Sequence, residues 1–237
     1  MSDLLFSIVE SISAVIAFVL ARFMIRPYRI TGESRFLGLP TGFVFLGVSY
    51  ISMGASLALT GNDLIEGLKW MQLFTGAYAF VLFAVTYHLS SETRERTARL
   101  LMQVMISLMV LGAAIVLITV FVPPLLEFPS YKAADEYFRL FNMVLALYVT
   151  SLTLRGHVSK PEPKTIFAPL GYALLAFSQY SFLIWSVDSS FSAFLGAHII
   201  RVAGLLVFLF VSYKAIFATP QSAARSTVIQ NEAASKG

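Results

Sequence analysis

Residues Ser190–Phe217 read SFSAFLGAHIIRVAGLLVFLFVSYKAIF. The run is apolar apart from three serines, His198, Arg201 and a Tyr213-Lys214 exit. Coiled as a helix at about 1.5 Å per residue, it outreaches a hydrocarbon core roughly 30 Å thick. Its only strongly polar interior groups, His198 and Arg201, are three residues apart and so share one helix face.

Working outward, the same pattern recurs at Leu4–Ile25, Leu37–Leu59, Glu66–His88, Arg99–Val122, Glu136–Leu154 and Thr165–Ser186. Each stretch has roughly the 20 residues a span needs. None alternates with period two, which favours helices over a β-barrel. Hydrophobic residues make up 57% of the 237 and charged residues 13%, and mean hydropathy is +0.77, a balance that a soluble core cannot hide. The expected fold is an all-α, polytopic bundle of seven transmembrane helices over residues 1–218. A polar, flexible cytoplasmic tail is expected over 219–237.

Proline placement suits these boundaries. Pro27, Pro40, Pro123-Pro124, Pro161, Pro163 and Pro220 are expected between spans or in a first turn. With Thr165 as N-cap, Pro169 falls just past the first turn of the sixth span, where at most a mild bend is expected.

Orientation follows from the basic residues. Thirteen of the 17 lie on one side: Arg22, Arg26, Arg29, Arg35, Arg94, Arg96, Arg99, Arg155, Lys160, Lys164, Lys214, Arg225 and Lys236. The other side has Lys69, Lys132 and Arg139 against seven Asp and Glu residues that include Asp135. The positive-inside rule then puts the N-terminus outside and the C-terminus in the cytoplasm of a cell membrane. The MSD start has no basic residue, so the first span reads as a retained anchor rather than a signal peptide.

Several function classes drop out. A net charge of +4 is spread over short loops without aromatic interleaving, which suits anionic lipid headgroups and argues against nucleic acid. With no cysteine there is no disulfide, thiolate metal site or iron–sulfur cluster. Neither a phosphate loop nor GxSxG or HExxH is present, and loops of about 5 to 14 residues leave no room for a catalytic domain, so no enzyme is expected. Retinal would need a lysine in the middle of the seventh span, where only Lys214 near the cytoplasmic end is available. Bis-histidine haem would need two histidines at one depth, but His88 and His157 fall roughly 18 Å below His198 by helical rise. No cofactor and no metal are expected.

Chemistry must therefore sit in the spans, where each ionisable side chain is a functional candidate by its cost. Glu10, Gln72, Asn142 and Gln179 lie roughly 9 to 11 Å from the outer ends of their helices. Ser52 and Ser56 are nearby, and His198 and Arg201 are somewhat deeper. Thr86, Tyr87, Ser107 and Ser151 are the main polar groups of the inner half, where a helix can satisfy its own hydroxyls. Each of Gln72, Asn142 and Gln179 reads either as interhelical glue or as a ligand contact, and Ser52 and Ser56 read as a close-packing surface. Glu10, the one acidic residue well within a span, is the natural partner of His198 and Arg201 if the first and last helices adjoin. That trio is either a structural ion pair, a ligand site or a pH switch.

The last third of the chain resembles the end of the seven-helix membrane-associated sensor domains of prokaryotic signalling proteins. The residues that carry the resemblance are Ser178-Gln179, Phe182, Asp188, Leu195-Gly196-Ala197-His198, Arg201 and Tyr213-Lys214-Ala215-Ile216. Here Ala197 separates glycine from histidine, and Arg201 stands where lysine is more usual. The resemblance implies a sensory module for a small signal; with about 20 residues after the last span, its output is expected to be a separate protein. The expected function is a stand-alone receptor that binds a small ligand among Glu10, Gln72, Asn142, Gln179, His198 and Arg201, with lipid and a protein partner around it. The alternatives are a non-catalytic subunit of a larger membrane complex, respiratory or transport, and a small transporter.

Overall fold

The computed structural model describes residues 2–31, 37–59, 62–90, 103, 107, 130–159, 161, 165–188 and 190–217. Among them are six long helices and no strand: α1 (Ser2–Thr31), α2 (Gly38–Ala58), α3 (Asn62–Ser90), α4 (Tyr131–Ser159), α5 (Phe167–Asp188) and α6 (Phe191–Phe217). All six are long and apolar enough to cross a membrane. Thus α4, α5 and α6 are the expected fifth, sixth and seventh spans. The expected fourth, Arg99–Val122, lies outside the described residues except for Gln103 and Ser107, which are helical and exposed. The expected tail at 219–237 also lies outside them.

Pro27 lies between spans as expected, since the first span runs Leu5–Arg26, although helix α1 continues through it to Thr31; there it removes a single backbone bond near the last turn. One proline expectation needs correcting. Helix α5 begins at Phe167, after a turn at Thr165 and Ile166. Pro169 is therefore within the first turn, where its missing N–H has no intrahelical acceptor.

The helices pack in chain order, α1 on α2, α2 on α3, and so on to α6, and the ring closes where α6 meets α1. Contacts give the directions. Ser7 meets Gly54, Phe43 meets Phe83, Arg139 meets Phe182 and Gly171 meets Phe208, so α1/α2, α2/α3, α4/α5 and α5/α6 are antiparallel. In contrast, Trp70 meets Tyr131, Phe74 meets Phe138 and His88 meets Tyr148, so α3 and α4 run parallel. Phe6 on Phe194 and Glu10 on His198 make α1 and α6 parallel as well. Among the described residues these two parallel seams are the thinnest of the six.

Small residues bring the antiparallel pairs close, as expected where lipid gives no hydrophobic drive between helices. A Cβ on Gly54 would lie 3.2 Å from Glu10 Cβ, and one on Gly204 would lie 3.2 Å from the Gly171 carbonyl oxygen. Four aromatic rings meet in the ring's interior, toward the end away from Glu10 and Arg201. Phe43, Phe83, Tyr172 and Phe208 form a closed square with successive centroids 4.9, 5.6, 4.7 and 5.6 Å apart. All four are buried. Gly42 and Gly171 make room for it, since a Cβ there would come within 2.5 Å of Phe83 and 2.6 Å of Phe208.

The outer surface is apolar too. Ile8, Ile12 and Val15 on α1, Phe177 and Tyr180 on α5, and Ile199, Leu206 and Phe210 on α6 are exposed. A belt of this kind suits lipid and is a liability in water. It makes the chain a multi-pass membrane protein by the same criterion that assigned its spans.

Candidate functional site

At the end of the bundle opposite the aromatic square, near the N-terminal ends of α1, α3, α4 and α6, polar side chains converge. Glu10 on α1, Gln72 on α3, Asn142 on α4, Gln179 on α5 and Arg201 on α6 line one cavity, together with Ser49 and Tyr50 of α2. Five of the six residues singled out from sequence are thus brought together, each from a different helix. The cavity offers about 40 Å³ to the centres of water-sized spheres, roughly three waters' worth.

The sixth residue, His198, stands behind Glu10. Glu10 is 1% exposed, and its Oε1 accepts from Arg201 Nη2 at 2.9 Å and lies 3.1 Å from His198 Nε2. The ring closure that the sequence reading requires is present, with Arg201 also reaching Ser13 Oγ at 3.4 Å. The guanidinium lies over the Tyr50 ring, 4.4 Å from its centroid, a cation–π contact that helps to keep a buried charge.

A second ion pair lines the same cavity. Arg139 Nε donates to Asp135 Oδ2 at 2.7 Å, both side chains 7% exposed, and the Arg139 guanidinium lies 4.5 Å from the Phe182 centroid. Arg201 approaches that ring too, at 5.5 Å. The sequence reading counts Asp135 and Arg139 among the charges of the outer side and misses their place in the site. The signal that could have found them is their spacing: opposite charges four apart face the same way on a helix, here on its first turns.

The remaining polar candidates behave more plainly. Gln72 is half-buried, its side-chain oxygen accepts from Tyr131 Oη at 3.1 Å, and its backbone oxygen accepts from Ser49 Oγ at 2.8 Å. Ser52 and Ser56 donate to carbonyls of their own helix, which fits the close-packing reading. Thr86 and Ser151 do the same elsewhere in the bundle. His88 Nδ1 lies 2.7 Å from Tyr148 Oη and His157 Nδ1 lies 2.5 Å from Thr165 Oγ1, so both have partners apart from the cavity.

Comparison with protein families, with curated proteins and with solved structures gives no match. The geometry alone carries the functional reading.

Proposed function

We propose that this chain is a receptor-type membrane protein that binds a small polar ligand in the cavity and passes the event to a separate protein. The observation that carries the reading is the convergence of Glu10, Gln72, Asn142, Gln179 and Arg201 from five helices onto one space. A bundle built only for packing gains more from filling such a space with apolar side chains. The cavity's size favours a ligand of few heavy atoms, and its uncharged amides can take hydrogen bonds of either polarity.

The same reading has seven spans, the N-terminus outside and the C-terminus cytoplasmic in a cell membrane. The parallel run of α3 and α4 supports this reading, because a crossing span between Ser90 and Ser130 would join them. Arg99–Val122 is apolar and long enough to make that crossing. With it, α1 and α6 point the same way, in agreement with the distribution of basic residues. A ligand that bridges Gln72 on α3 and Asn142 on α4 acts across one of the two thin seams, and both helices continue to the opposite end, where a partner would read their movement. No catalytic role is proposed.

One feature favours the alternative, a non-catalytic subunit of a larger membrane complex: the two arginines are already paired with Glu10 and Asp135. Native mass spectrometry of protein purified from its own membrane separates the two. A small molecule retained by the wild type and lost from Asn142→Leu and Gln179→Leu supports the receptor. A fixed protein partner without a small molecule, unchanged in both variants, overturns it in favour of the subunit.

A further inference from the structure

His198 Nδ1 lies 2.8 Å from the backbone oxygen of Phe194, one turn earlier on α6. A carbonyl oxygen only accepts, so Nδ1 carries a hydrogen. In a neutral imidazole the other nitrogen, Nε2, would then be a bare lone pair. Yet Nε2 faces Glu10 Oε1 at 3.1 Å, and that oxygen already accepts from Arg201. A bare nitrogen against a carboxylate oxygen sets two acceptors face to face with no hydrogen between them. The contact closes only when the pair holds one more proton than a neutral histidine and a carboxylate supply.

The surroundings say which partner carries it. Three phenyl rings, Phe6 of α1, Phe182 of α5 and Phe194 of α6, surround the imidazole with centroids 5.8, 4.9 and 4.3 Å away. That is an aromatic cage of the kind that favours a cation. Glu10, 2.9 Å from a guanidinium, is the carboxylate of that ion pair. Among the described residues, the charged and titratable groups around the site are Glu10 from α1, Tyr50 from α2 against the Arg201 guanidinium, Arg201 from α6, and Arg139 from α4 across the Phe182 ring.

We propose that His198, Glu10 and the three rings form a buried proton-binding site that clasps α1 to α6. The bound proton sits on His198 Nε2 and donates to Glu10. As pH rises the proton leaves, the lone pair repels the carboxylate, and the α1/α6 seam, one of the two thinnest among the described residues, loses one of its two charge-assisted bonds, the Arg201–Glu10 pair remaining. The His198 side is sealed by rings while Glu10 faces the cavity, so protonation and cavity geometry are coupled through one carboxylate. The clasp needs no ligand in the cavity.

The test is a ¹⁵N spectrum of histidine-labelled protein in lipid nanodiscs, with the three histidines assigned by substitution, recorded from about pH 5 to pH 9. In parallel, spin labels on Ile8→Cys and Leu195→Cys, both lipid-exposed positions, report the separation of α1 and α6; the absence of native cysteine makes these labels unique. The expected result is a doubly protonated His198 that loses its Nε2 hydrogen over the same pH interval in which the labels move apart. Glu10→Gln, whose amide can donate to a bare Nε2, is expected to leave His198 neutral and the label distance independent of pH. A bare Nε2 across the whole range, in protein that keeps Glu10 and His198, overturns the proposal. So does a titrating His198 in that protein with no change in separation.

Discussion

Glu10 Oε1 and Arg201 Nη2 meet at 2.9 Å and tie the first helix of the ring to the last. Breaking one partner of a buried pair leaves a bare charge and costs on the order of 3 to 5 kcal/mol, whereas an apolar replacement of both can be close to neutral. Glu10→Leu and Arg201→Met are each expected to lower the unfolding midpoint strongly in mild detergent. The double variant should lose much less than the sum. Thermal or denaturant unfolding of the four proteins checks this as a cycle.

Phe182 has one guanidinium 4.5 Å and another 5.5 Å from its centroid. Replacing it by leucine keeps most of the apolar volume and removes the π face. The coupling between Phe182→Leu and Arg139→Ala is expected at about 0.5 to 2 kcal/mol, measured by the same unfolding cycle. A coupling near zero would mean that Arg139 is held by Asp135 alone.

Helices α5 and α6 approach through Gly171 and Gly204, where a Cβ would meet the Phe208 ring at 2.6 Å and the Gly171 carbonyl at 3.2 Å. Gly171→Ala is expected to destabilise the bundle by roughly 1 to 3 kcal/mol, the usual cost of overpacking. Gly171→Ala with Phe208→Leu should recover part of the loss, because the obstructing atoms belong to one ring. Gly156, with nothing near its Cβ position, should accept alanine with no loss.

Orientation is checked with single cysteines in the cysteine-free chain. Val187→Cys at the end of α5 and Val158→Cys near the end of α4 are both highly exposed, at 73% and 71%. A membrane-impermeant thiol reagent should label position 187 on intact cells and reach position 158 only after permeabilisation. The reverse pattern would invert the assignment made from basic residues.

The helices are legible in the sequence because apolar runs of membrane length are hard to mistake, and α2, α3, α5 and α6 begin and end within a few residues of their expected bounds. Ring closure is also legible, from chemistry: Arg201 in mid-span needs a carboxylate, and Glu10 is the one on offer. What escapes the reading is which way each helix faces. Lipid is as apolar as the bundle interior, so no polar stripe marks the outside, and the cage of Phe6, Phe182 and Phe194 looks like three of 21 phenylalanines. Asp135 and Arg139 escape for a related reason. Charges near a helix end look like solvent-facing residues unless their pairing across one turn is considered. Pro27 marks the end of the first span without ending its helix, since a helix tolerates proline where few bonds remain to be lost.

The square of Phe43, Phe83, Tyr172 and Phe208 gives four helices of the bundle a shared apolar layer. Among the described residues, these four interlocked rings of α2, α3, α5 and α6, without a charge among them, stand between the polar cavity that Arg201 lines and the opposite ends of their helices. Each ring touches two others, three of the four contacts edge to face, so a shift of any one of these four helices presses on its neighbours.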